Sequence, residues 1–168
     1  MSRGFVREDD KEAVPLVTLR APLPLGVRNY VTPEGFRQLK EEYRLLSEER
    51  KTLSDESPTE NRVQINYITA KLQLLDERIK TAEIISPLNI KEKNKVRFGA
   101  VVTVFREDDG SLKKYQITGS DEADISLNKI SFLSPLAKAL LNKKSGDSVT
   151  VKTPSGSINF TIKLIEYK

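Results

Sequence analysis

The 168-residue chain contains no cysteine, no histidine and no tryptophan, and only 7% of its residues are aromatic. The absence of cysteine excludes disulfides and thiol chemistry, and it is typical of proteins from a reducing compartment. The absence of histidine removes the commonest general base, and metal sites built on histidine or cysteine are excluded as well. Only carboxylates remain for metal chemistry, and they prefer hard cations such as Mg²⁺.

Long apolar runs are also missing. None approaches the roughly 20 residues that span a bilayer, and the N-terminal MSRGFVREDD lacks the apolar core of a signal peptide. Charge is abundant instead: residues 1–90 carry 14 basic and 15 acidic side chains, and residues 91–168 carry 14 and 9. The basic half could contact nucleic acid or an acidic protein surface, but its scattered lysines are equally typical of an ordinary solvated surface.

Residues 1–29 have neither helical nor strand periodicity and are interrupted by Pro15, Pro22 and Pro24. This pattern predicts an extended N-terminal arm.

Two helices are predicted next, over residues 30–86. Thr32 is a good N-cap, Pro33 suits the first helical position, and Glu34 complements the helix dipole. Apolar residues then recur at helical spacing in two series, Phe36, Leu39, Tyr43, Leu46 and Leu53, and Ile65, Ile68, Leu72, Leu75, Ile79 and Ala82. The second series has a heptad pattern and should end at Ser86, the residue before Pro87. The segment SDESPTEN separates the two, so we expect an antiparallel coiled-coil hairpin with arms about 35 Å long.

The period changes after a charged linker at residues 87–95. Alternating segments beginning at Val96 predict about five antiparallel strands, with a short helix from Ser134 to Leu141. The expected fold class is therefore α+β: the hairpin, followed by a β-sheet domain over residues 96–168.

The hairpin tip is the candidate functional site, because residues 55–60 contain the three acids Asp55, Glu56 and Glu60 and no basic residue. A solvated turn is one interpretation. The other is that these carboxylates enter another protein's active site and hold a divalent cation there. A second acidic stretch, Asp121, Glu122 and Asp124, has the pattern of a solvated loop.

The C-terminal segments FGA (98–100), GSDEAD (119–124), SPLAKALL (134–141), GD (146–147), TPSG (153–156) and IEY (165–167) resemble, in order, the C-terminal domain of the GreA/GreB transcription elongation factors. YVTPEGFRQLKEE and RIKTAEII resemble the start and end of that family's coiled coil. The resemblance implies an FKBP-like domain at the rim of the RNA polymerase secondary channel, with the hairpin entering the channel.

The resemblance also implies a role. The factor would be a cytoplasmic bacterial monomer without catalytic residues, membrane contact or a cofactor of its own. It would meet nucleic acid only through the transcription complex, and its tip acids would share the polymerase's Mg²⁺ during cleavage of backtracked RNA. The docking candidates are Asp121, Glu122, Asp124, Ser134, Pro135 and Lys138.

The tip departs from the family pattern, in which an Asp stands three residues before a Glu-Asn pair. Glu60-Asn61 matches the pair, but Ser57 stands at the Asp position. Each helical arm also looks about a heptad shorter than the arms of the family's usual cleavage factors. This difference would draw the tip back by about 10 Å, whereas Mg²⁺ ligands bind at about 2 Å. A channel-binding regulator without cleavage activity is therefore an alternative. A peptidyl-prolyl isomerase or chaperone built on the FKBP-like domain is another.

Overall fold

The computed structural model describes residues 20–168, so most of the predicted N-terminal arm, residues 1–19, lies outside the described part. The fold is α+β. A short strand β1 (Asn29–Val31) leads into two helices, α1 (Pro33–Glu56) and α2 (Arg62–Thr81), which pack together as a hairpin. Strand β2 (Ala82–Ile84) follows α2 and pairs with β1 in parallel. Within residues 20–168 no helix is long and apolar enough to cross a membrane.

The predicted start of α1 is confirmed in detail. The Thr32 side chain accepts a hydrogen bond from the Gly35 backbone N–H at 3.0 Å, and Pro33 occupies the first helical position. The predicted end of the second helix is wrong, because α2 stops at Thr81 and not at Ser86. Residues 82–84 are extended instead, since the backbone of Asn29–Val31 offers them a strand partner. Asn29, predicted as the last arm residue, thus begins a strand.

The C-terminal part forms a five-stranded sheet in the order β5-β4-β3-β7-β6. Its strands are β3 (Val101–Arg106), β4 (Ser111–Thr118), β5 (Lys129–Ser131), β6 (Ser148–Thr153) and β7 (Gly156–Glu166), and the short helix α3 (Pro135–Leu140) lies between β5 and β6. The prediction of an entirely antiparallel sheet is wrong, because β5 runs parallel to β4. Residues 120–127 between these strands form two short 3-10 turns, and this connection returns the chain in the same direction.

The first strand of this sheet begins at Val101, later than the predicted Val96. Gly99 has a φ of +84° and its backbone N–H donates to the Ile117 carbonyl at 2.8 Å, so the chain turns here before the strand starts. A Cβ on Gly99 would lie 2.7 Å from the Pro87 ring. Alternate residues such as Val102, Val104 and Ile162 are fully buried beneath the sheet, where they contribute to the core.

Candidate functional site

The three acidic residues of the hairpin tip are exposed to solvent. Asp55 and Glu56 end helix α1, and Glu60 lies in the turn that joins the two helices. Within residues 20–168 no group of acidic side chains is arranged to hold a metal ion.

The tip turn is closed by Asn61. Its side-chain amide donates to the Leu53 carbonyl at 3.0 Å, and its backbone N–H donates to the Ser57 carbonyl at 3.0 Å. Ser57 is the C-cap of α1, and its own N–H donates to the Leu53 carbonyl at 3.3 Å. Asn61 thus ties the end of α1 to the start of α2 and fixes the turn that carries Glu60.

Four of the docking candidates lie at the surface or near it. Asp124 is exposed, and its carboxylate accepts hydrogen bonds from the Ser126 hydroxyl and backbone N–H at 2.6 and 2.9 Å. The bond from the hydroxyl contributes most, and together the two bonds hold the pKa of Asp124 below its usual value. Ser134 is half-buried and caps α3 by accepting from the Ala137 N–H at 3.2 Å, whereas Pro135 and Lys138 are exposed.

Two apolar residues that the sequence analysis did not select are exposed beside Asp124. Ile125 is 88% exposed and Leu127 is 63% exposed, and both lie in the 3-10 turn that Asp124 caps. Exposed apolar side chains that lie together are a feature of many interaction surfaces. The sequence contained this feature, because ISL interrupts an otherwise polar loop.

Glu122, the second docking candidate, is buried within the chain. Its carboxylate accepts hydrogen bonds from the Thr32 backbone N–H at 2.9 Å, the Thr32 hydroxyl and the Gly119 N–H at 3.2 Å. It thereby places a negative charge at the N-terminus of α1, where the helix dipole favours it. Gly35 leaves room for this contact, because a Cβ there would lie 2.0 Å from the Glu122 Cδ.

Asp121 also has its partners within the chain, and its side chain is only 5% exposed. Arg20 donates to one of its oxygens at 2.9 Å, and the Arg78 Nε lies 3.2 Å from the other. The described structure thus gives Asp121 and Glu122 intramolecular partners 43 to 101 positions away in sequence, which no local pattern could reveal. The docking prediction now rests on the other four residues.

An aromatic cluster lies where β1 meets the C-terminal domain. The rings of Tyr30, Phe98 and Phe132 are 5.6 to 5.8 Å apart. Together with Ile85, Ile90 and Leu141 they line an open groove of about 570 Å³. Tyr30 comes from the hairpin side, so the groove belongs to the junction and not to the C-terminal domain alone.

Comparisons with known proteins place these features in a family. Residues 91–167 match the model described as transcription elongation factor, GreA/GreB, C-terminal. The transcription elongation factor GreA of Legionella pneumophila (strain Corby) is 41% identical over 106 residues, which are 63% of this chain and 66% of that protein. The factor of the same name from Alkalilimnicola ehrlichii is 38% identical over 106 residues, 63% of this chain and 67% of that protein.

Among solved structures, the GreA factor homolog 1 of Thermus thermophilus aligns with a TM-score of 0.40 and 22% identity. The alignment covers 83% of this chain and 99% of that one. The chain therefore spans just under two thirds of the Legionella relative's length in sequence, while its structural alignment extends over most of the chain.

Proposed function

We propose that this chain, which belongs to the GreA/GreB family of transcription elongation factors, binds RNA polymerase at its secondary channel and modulates elongation there. The observation that carries the proposal is the family match over residues 91–167. In this proposal the chain is an accessory factor without catalytic residues of its own, and its C-terminal domain is an FKBP-like body that rests at the channel rim.

Docking is assigned to Asp124 in the loop before β5 and to Ser134, Pro135 and Lys138 at α3. The exposed Ile125 and Leu127 support this assignment, because apolar side chains in a solvated turn gain free energy when a partner covers them. A charge reversal, Lys138→Glu, should weaken polymerase binding, whereas Lys152→Glu on the exposed side of β6 serves as the matched control.

The hairpin tip would then act on the polymerase's catalytic metal. Asp55 and Glu56 lie at the C-terminal end of α1, and the last turn of this helix has no basic residue. Carboxylates are electrostatically unfavourable at that end of the helix dipole. Their presence is therefore not explained by helix stability, which supports a role outside the chain such as holding Mg²⁺ or orienting water.

A second candidate is a channel-binding regulator without cleavage activity. It is favoured by Ser57, which caps α1 at the position where the family pattern has an Asp. A hydroxyl there cannot replace a negatively charged metal ligand.

A transcript-cleavage assay on stalled polymerase complexes separates the two candidates. Stimulation by the wild-type chain should fall by roughly one to two orders of magnitude in Glu60→Ala, a typical loss when a metal site is weakened. Asp55→Ala and Glu56→Ala test the other tip acids, and Glu49→Ala, an exposed acid lower on α1, is the matched control. Channel occupancy is measured in parallel by competition.

The outcomes are distinct. Wild type that competes for the channel without stimulating cleavage supports the regulator, and Ser57→Asp should then introduce stimulation if the missing acid is the cause. A chain that does not bind polymerase at all overturns both candidates.

The groove beside Tyr30, Phe98 and Phe132 is the one observation that favours peptidyl-prolyl isomerase activity. A proline-isomerisation assay with a short peptide tests it. A rate equal to background removes this activity, and a rate lost in Phe132→Ala would support it.

A further inference from the structure

One arginine of the N-terminal arm joins the hairpin to the C-terminal domain. The Arg20 guanidinium donates to both oxygens of Glu42 on α1, at 2.7 and 2.6 Å. Its other terminal nitrogen donates to Asp121 at 2.9 Å. A planar guanidinium can hold two carboxylates in fixed directions, so a single side chain bridges two parts of the molecule.

Arg78 of α2 completes this cluster from the other side. Its Nε forms an ion pair with the second Asp121 oxygen at 3.2 Å, and its Nη2 donates to the carbonyl of Ala21, next to Arg20. The side chains of Asp121 and Arg78 are only 5% and 11% exposed. Salt screens such shielded charges much less than surface pairs. The arm, both helices and the domain therefore meet at one group of balanced charges.

Small rotations at this point have large effects at the tip. Helix α1 has 24 residues and is about 36 Å long at 1.5 Å per residue, so a rotation of about 10° at its base moves the tip by about 6 Å. Metal ligands act only over about 2 Å. A tip that serves a metal held by another protein needs a fixed base.

We propose that Arg20 is a positioning residue: by bridging Glu42 and Asp121 it restricts the orientation of the hairpin relative to the C-terminal domain. The restriction itself concerns the chain alone, and only its benefit for polymerase binding rests on the proposed function. Arg20 lies outside the residues matched by the family model, which begin at residue 91.

The orientation can be measured directly, because the chain contains no cysteine and accepts two unique labels. Spin labels at Thr59→Cys on the tip and Lys152→Cys on β6 report the distance between hairpin and domain by pulsed electron paramagnetic resonance. Arg20→Ala should broaden the distance distribution. Arg20→Lys should broaden it less, since an ammonium keeps the charge but not the planar fork.

Two further variants make the result specific. Glu42→Gln removes the charge at the other end of the bridge and should also broaden the distribution. Arg28→Ala is the matched control, because Arg28 lies in the same arm but its ion pair, at 3.4 Å, is with Glu83 of β2. Equal distributions for wild type and Arg20→Ala would overturn the proposal, and so would equal broadening by Arg28→Ala.

Polymerase binding is the second readout. If Arg20→Ala leaves only a third of the molecules in the binding orientation, the apparent Kd should rise about threefold, whereas Arg28→Ala should leave it unchanged. An unchanged Kd for Arg20→Ala would contradict the benefit for binding. If no variant and no wild type binds polymerase, the proposed function fails, while the distance measurement still decides the role of Arg20.

Discussion

The C-terminal domain and the hairpin are stabilised in different ways. The domain buries one continuous core of eleven apolar side chains from the sheet, α3 and the loops. Within residues 20–168 the cluster at the hairpin base is smaller, with the three buried side chains of Val31, Leu39 and Leu75, and Ile68 and Leu72 are buried further along α2. The domain therefore has the larger core of its own, and contacts with the domain, such as the hydrogen bonds between Thr32 and Glu122, add to the stability of the hairpin.

The hairpin itself is uneven. Toward its tip the seam residues Leu53 and Ile65 are half-buried, and Tyr43, near the middle of α1, is 38% exposed. The middle of α1 carries exposed local pairs, Arg44 with Glu41 and Glu48. Pairs of this kind contribute little each, and the seam side chains nearest the tip are less buried than Ile68, Leu72 and Leu75 closer to the base.

The largest expected effect is on the free energy of unfolding, when a core residue of the domain is compared with a seam residue of the hairpin. Ile162→Ala removes a fully buried side chain of the domain and should lower the free energy of unfolding by about 2–5 kcal/mol. Leu53→Ala in the distal hairpin should cost only about 1 kcal/mol, because the side chain is already partly solvated. Urea unfolding measures both, and equal losses would contradict the comparison.

The next prediction concerns the hairpin base, where replacing a helical glycine by alanine should lower stability, opposite to the usual effect. Alanine is about 1 kcal/mol better than glycine inside a helix, so Gly35→Ala would ordinarily stabilise α1. Because the new Cβ would lie 2.0 Å from the Glu122 Cδ, we expect a net loss of about 1–3 kcal/mol.

The matched experiment repeats Gly35→Ala in a Glu122→Ala background, where the obstructing side chain is gone. There the substitution should be neutral or stabilising. A stabilising Gly35→Ala in the wild-type chain would mean that Glu122 does not hold the base as described.

A smaller effect is expected at the tip. Asn61→Ala removes the bond to the Leu53 carbonyl and should destabilise the turn by about 1 kcal/mol. Amide hydrogen exchange at residues 57–61 should accelerate about fivefold, and exchange in the C-terminal domain should not change. Asn66→Ala, an exposed position on α2, is the control. Equal acceleration by both substitutions would remove the special role of Asn61.

The parts of this fold that the sequence predicted are those encoded locally. Thr32-Pro33 marks a helix start through its own neighbours, and strand alternation in segments such as SVTVK requires only a two-residue period. The parallel pairing of Asn29–Val31 with Ala82–Ile84 was missed because each segment is three residues long and its partner lies 53 positions away.

The residues of the candidate site also differ in whether a local pattern or a long-range contact determines their environment. The exposed tip acids were predictable, since a polar turn between two heptad series is a local pattern. The burial of Asp121 and Glu122 was not, because both lie in a loop whose composition is that of a solvated surface. Their partners Arg20 and Thr32 become neighbours only when the hairpin meets the domain.

The smallest expected effect lies in the connection between the two regions. Hydrogen bonds from Lys95 and then Arg97 lower the pKa of Glu92 to about 2 from its ordinary value of 4.5. A lowered pKa means that the ionised form stabilises the folded chain. The contribution is present above pH 4.5 and is lost as the pH falls toward 2.

Because Glu92 is exposed to solvent, the effect on stability should be small, and the titration itself is the better measurement. Carbon-13 NMR of the Glu92 carboxylate should give a midpoint near 2 in the wild type. Arg97→Ala should move it toward 4.5, whereas Arg106→Ala, an arginine of β3 paired with Asp108, should not. A wild-type midpoint near 4.5 would mean that these ion pairs do not persist in solution.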